Sequence, residues 1–443
     1  MHDASIEQRP RWTPRLLAVA GFGLGIAVLT GSGLGSSAAT GAVSARPTTN
    51  EAGTFDSSTD IRRRLSMARL AESEERWEDA DGHYRSILLE VDRNHTAAYE
   101  ALCRLHKSHP DLIGYPGNER IVRDRLGRSF RRLVTPNFVI YSNADDAWTQ
   151  RQAGRLERAE DEFTRFCHKL ELNPLPLGQR LLCILFDDQT EYAAFARRYD
   201  GIEARWIAGY YAPKENYVVF FNEANGASFA DAGRKVDEQR RQITEIKREL
   251  RDAQLKRQHD YADHLRSELR RFEQALATNE QMIDDAARNA SASKTIHEAV
   301  HLLAANMGVM SRYRRHPFWL TEGLATAFET QRPEQAFGPA HEQPIRREGF
   351  EALLDSGEIL PLAQFVSFES VPNEDQAIAS VMYQQSYALF QYLYRYQRDD
   401  LAAALRRSGQ PGPNTINHVA DFERHFGGID AFERVWIRRE RNR

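Results

Sequence analysis

Three side chains within five residues set the chemistry this chain could perform: His297, Glu298 and His301, in the run Thr295-Ile296-His297-Glu298-Ala299-Val300-His301. Positions i and i+4 stand one above the other on a helix, so two imidazoles can grip one ion. Glu298 is turned about 100° around the helix from His297. Its carboxylate then lies beside the coordination position left open for water, where a base can take a proton. Zinc accepts histidine nitrogen at roughly 2.0–2.1 Å, and a catalytic zinc site needs three protein ligands and one open place. Glu322, in Trp319-Leu320-Thr321-Glu322-Gly323-Leu324-Ala325, is the candidate third ligand. It follows an Arg-rich loop at 312–315 and opens a second apolar helix. The expectation is a zinc ion on His297, His301 and Glu322, with Glu298 as general base.

The rival reading is a solvated helix with two histidines at that spacing by accident. Val300, Leu302, Leu303 and Ala304 argue against it, because they make the helix apolar and hence buried. Buried His and Glu side chains need partners. A metal supplies one.

With Glu322 in W-L-T-E-G-L-A, the motif resembles the gluzincin branch of zinc metallopeptidases. More narrowly, it is similar to the peptidase-MA-like domains of bacterial envelope proteins. The resemblance extends to the run from Val381 to Phe390, similar to the helix on which aminopeptidase-like gluzincins carry a tyrosine that steadies the oxyanion; it implies that role for Tyr383, with Tyr387 as a second choice. It covers residues 134–443 apart from one long insert. Two departures matter. Thermolysin-like enzymes place an Asp one turn after the ligand Glu, where this chain has Thr326; Glu329, two turns on, is the substitute partner for a histidine. The G-x-M-E-N string that anchors a substrate amino terminus is missing, so the resemblance implies an endopeptidase acting on a peptide or protein rather than an aminopeptidase.

The elements that must position these residues follow from pattern. The 443 residues are enough for two to three domains. A net charge of −4 gives no reason to expect nucleic acid as a partner. Three cysteines, Cys103, Cys167 and Cys183, allow one disulfide at most. Arg9, Arg11 and Arg15 precede an apolar run at 16–29, and Val43-Ser44-Ala45 has the small residues of a cleavage site. Residues 1–45 therefore read as a signal peptide or, if uncleaved, a membrane anchor. Either reading exports the rest to the periplasm, the envelope or the medium. Residues 46–60 read as a flexible linker.

Residues 61–132 read as helical. Their first part resembles one tetratricopeptide repeat and the opening of a second, with a basic helical stretch from Arg120 to Arg132. One and a half repeats cannot bury their own face, so the segment should pack on a neighbour. From 134 the pattern is strands first and helices after, an α+β metallopeptidase-like domain with a small mixed or antiparallel sheet, the active-site helix and a helical C-terminal part. The strand Tyr217–Phe221 is read as the edge strand of the cleft. Asp188, after a strand, reads as a helix cap. The charge-rich residues 231–287 interrupt the domain. Val236, Ile243, Ile246, Leu250 and Ala253 form one coiled-coil seam, and Ala262, Leu265, Leu269, Phe272 and Leu276 a second, out of phase, with the break near 258–260. Two helices folding back there predict an antiparallel arm; one continuous helix paired with a second subunit is the rival.

Two functions remain. One is an exported zinc endopeptidase. The other is a non-catalytic scaffold on the same fold, binding a protein partner through its repeat or its coiled-coil arm.

Overall fold

The computed structural model describes residues 57–92, 95–109, 112, 119–203, 207–372, 375–410 and 417–443. The export signal at 1–45 and most of the linker lie outside them. The chain is α+β. Among the described residues, 232–284 form one compact unit, and 57–231 with 285–443 form the other.

The larger unit begins with three helices, α1 (Ser57–Ser73), α2 (Trp77–Ser86, extended by a π turn, Ile87–Val91) and α3 (Thr96–Ser108). The linker reading thus ran four residues too far, since α1 already starts at Ser57. Ala68, Ala71, Ala80 and Ala98 are buried among Tyr84, Tyr99 and Leu102, small side chains that let the helix backbones approach. The expected neighbour comes from far along the chain. Tyr313 joins this core, and the Tyr99 hydroxyl donates to Ser311 Oγ at 3.3 Å.

After α4 (Glu119–Arg125) come β1 (Arg131–Val134), β2 (Phe138–Ser142), α5 (Asp146–Lys169) and β3 (Leu181–Phe186). Next are α6 (Gln189–Phe195), β4 (Gly209–Ala212) and β5 (Tyr217–Phe221). Arg131 and Arg132, read as the end of a basic helix, belong instead to β1. The sheet is mixed, in the order β1-β2-β3-β5-β4, with β2–β3 and β3–β5 parallel and both outer pairs antiparallel. Side chains alternate between faces along each strand. Phe138, Ile140, Cys183, Leu185, Val218 and Phe220 face the core shared with α5; Val139, Tyr141, Ile184, Phe186, Val219 and Phe221 face that shared with α6. Both faces are covered, which explains why the central strands are unbroken apolar runs. The edge-strand reading of Tyr217–Phe221 is therefore corrected: β5 is interior, and β4 is the edge. Asp188 caps α6, accepting the N–H groups of Thr190 and Glu191.

Two long helices follow, α7 (Ala227–Leu255) and α8 (His259–Asn306). The metal motif does not have a helix of its own; it lies on the last turns of α8. The helical remainder is α9 (Phe318–Thr326), α10 (Pro344–Ser356), α11 (Leu362–Ser367), α12 (Gln376–Tyr396), α13 (Arg398–Gly409), α14 (His418–Phe426) and α15 (Ile429–Arg441). Gly323 brings α9 onto α12: an added Cβ would lie 2.8 Å from Ser386 O and 2.9 Å from Phe390 Cβ.

The smaller unit consists of the facing parts of α7 and α8. Its chain reverses at 256–258, with Arg257 in the left-handed region at φ 55°. Arg240 pairs with Glu280 at 2.7 Å and Lys247 with Glu273 at 2.8 Å, so the two helices of the hairpin run antiparallel. Ala253, Ala262 and Leu265 are buried together, with Ile246 and Leu250 packed against them. The break in seam phase coincides with the reversal. All three cysteines are free thiols.

Candidate metal centre

His297 and His301 come from one face of α8, and Glu322 from the first turns of α9. Their ligand atoms all lie within 4.8 Å of one another, and all three side chains are buried. His297 Nε2 is 3.1 Å from Glu322 Oε2 and 3.2 Å from His301 Nε2; His301 Nε2 is 3.6 Å from the same carboxylate oxygen. A tetrahedral centre with ligands at ~2.0–2.1 Å has ligand–ligand edges of roughly 3.3–3.4 Å. The observed edges bracket that value. Two imidazole nitrogens this close also cannot both carry a proton towards each other without conflict, so the donor set suits a cation better than it suits itself.

The far side of His297 is held as well. Its Nδ1 lies 2.9 Å from Glu329 Oε1, which fixes the tautomer that leaves Nε2 available. Glu329 in turn accepts both Nε and Nη2 of Arg346 at 2.8 Å. Burial would lower the His297 pKa, but Glu322 and Glu329 push it up to about 9. Burial works against Glu322, yet His301 and His297 hold its carboxyl down at about 2. Glu329 lies far below the usual carboxylate range, as burial is outweighed by Arg346 and His297.

Glu298 is fully buried, and neither carboxylate oxygen has a hydrogen-bond partner among the described residues. Burial pushes its carboxyl up, against the pull of His297 and His301. Lys294, one turn earlier on α8, is 7% exposed.

The ring of Tyr383, on α12, is 6.2 Å from that of His297, with Phe318 edge-on at 5.2 Å and the Arg346 guanidinium 5.6 Å above it. The structure thus brings Tyr383 to the site. Tyr387, the second choice, is buried, and its hydroxyl accepts the Gln343 backbone N–H at 2.8 Å. Thr326 reaches no histidine; its hydroxyl donates to Glu322 O at 2.6 Å. Sequence reasoning overlooked Arg346 and Lys294. Lys294 had a signal, its i−4 spacing from Glu298. Arg346 had none, being one arginine among many. A small cavity lined by Trp319, His418, His425 and Phe422, among others, contains none of these groups.

A family model described as "Protein of unknown function (DUF1570)" matches residues 291–413. No curated protein and no solved structure matches the chain. The matched stretch contains His297, Glu298, His301, Glu322, Glu329, Arg346 and Tyr383, and excludes the sheet and the arm.

Proposed function

We propose that this chain is an exported zinc-dependent amide hydrolase, an endopeptidase acting on a peptide or protein. One observation carries the reading: three metal-type ligands converge at coordination spacing, and the carboxylate between the two histidines is buried with no hydrogen-bond partner among the described residues. A metal site that only stabilised the fold would have no use for Glu298.

His297, His301 and Glu322 would hold the ion, and Arg346 through Glu329 would keep His297 Nε2 aimed at it. Zinc supplies Lewis acidity there, polarising the scissile carbonyl and lowering the pKa of water. Glu298 would take the proton from the attacking water and pass it to the leaving amine. Its raised pKa suits that second step, since the buried carboxyl holds a proton readily. Tyr383, beside His297, would donate a hydrogen bond to the carbonyl oxygen as charge develops on it. The N-terminal apolar segment supports export.

The test is metal analysis of the purified protein together with cleavage of a denatured protein substrate before and after chelation. Stoichiometric zinc and chelator-sensitive cleavage are expected. Full zinc retention in the His297→Ala, His301→Ala double variant would overturn the assignment.

A further inference from the structure

The link between α8, which carries the histidines, and α9, which carries Glu322, includes the run Arg312-Tyr313-Arg314-Arg315-His316. Against it lies a cavity of about 20 Å³, lined by Arg314, Trp319 on α9, Ser408 on α13, and His418, Phe422 and His425 on α14, among others. Ring contacts hold the walls together. Trp319 meets Phe422 edge-on at 5.6 Å and Phe426 at 6.0 Å, and Phe426 lies 6.0 Å from His425. None of the metal ligands lines this cavity, so its occupant is independent of the hydrolase reading.

Arg314 and Trp319 are only 5% and 3% exposed. Arg314 Nε, Trp319 Nε1 and His425 Nε2 are shielded from bulk water and have no hydrogen-bond partner among the described residues. The Arg314 guanidinium donates only through Nη1, to the carbonyls of Arg407 at 2.9 Å and Gln410 at 3.5 Å. Among the described residues it has no ion pair. The other polar groups of the lining are engaged. Asp421 accepts from Arg407 at 3.0 Å and pairs with Arg424. Arg315 and His418 both bond Glu369, at 3.2 and 2.9 Å. His316 donates to Ser311 O at 2.8 Å, and Ser408 to Ala404 O at 3.0 Å. Two N–H donors remain, with an imidazole nitrogen that donates in one tautomer and a buried positive charge.

A buried charge is costly without a counter-charge. Arg314 repels a cation, and a water would accept hydrogen bonds without neutralising the guanidinium. The volume admits one water-sized particle, too little for a phosphate or sulfate. We propose that this cavity is a site for a single small anion of halide size, held by Arg314, Trp319 and His425. Such an ion ties α9, one turn before Glu322, to α14, so its binding should register as stability of the fold.

The full chain is melted at neutral pH in chloride, bromide or gluconate of equal ionic strength, gluconate being too large to enter. The melting midpoint should rise and saturate with chloride and with bromide, and stay flat in gluconate. Trp319→Phe keeps an aromatic ring and removes the N–H, and should raise the half-saturating halide concentration about tenfold. Arg314→Gln should abolish the response. Crystals soaked in bromide should show its anomalous signal within hydrogen-bond distance of Trp319 Nε1. No halide response in the wild type, an equal rise in gluconate, an unchanged response in Trp319→Phe, or a water in place of bromide would each overturn the site. Should Arg314→Gln not fold, Trp319→Phe and the bromide signal decide the matter.

Discussion

At the residue scale the site is a chain of charges leading away from His297. Among the described residues the Glu329 carboxylate bonds to His297 and Arg346 and to neither of the other two ligands, so its removal isolates the orienting role. Glu329→Gln should weaken zinc binding by about 10–100-fold, measured by chelator competition, with the ligand set intact; unchanged affinity would mean that packing alone orients His297. Protons compete with the metal for the same nitrogen. An isolated histidine places that competition near pH 6.5, but Glu322 and Glu329 lift His297 to about 9. Below that value each fall of one pH unit should weaken zinc about tenfold, and zinc uptake at pH 7.5 should expel about one proton. A flat affinity between pH 7 and 9 would contradict this. The motif and Glu322 were legible because their spacing is itself the chemistry. Arg346 was not, because it reaches His297 only through Glu329, a contact that no spacing in the sequence records.

At the element scale, α9 must lie close enough to α12 for Glu322 to reach His297, and Gly323 permits it. Gly323→Ala places a methyl within 3 Å of Ser386 O and Phe390 Cβ. The expected penalty is ~1–3 kcal/mol, seen as a lower denaturation midpoint together with weaker zinc binding. A stable variant with normal zinc affinity would show that the two helices have room to spare. The reversal between α7 and α8 was readable from period alone. The place of β5 in the sheet was misread. Its run Val218-Val219-Phe220-Phe221, apolar on both faces, is the mark of an interior strand. β1 escaped notice because its Arg131 and Arg132 look helical beside the basic stretch before them.

At the scale of the whole molecule, the unit at 232–284 contributes none of the ligands, orienting residues or buried partners of the centre. Replacing it with a short Gly-Ser linker should leave zinc content at one per chain, while loss of zinc from a still-folded protein would mean that it supports the centre directly. Turnover, by contrast, asks the whole larger unit to hold water, carbonyl and base together, and Glu298 is where that demand concentrates. The most direct measurement is the turnover of zinc-loaded Glu298→Gln beside the wild type. Gln keeps the shape, leaves three ligands in place and removes the base, so zinc should bind as before and the rate should fall by about 10²–10⁴-fold. Cleavage by the variant at the wild-type rate would contradict the account.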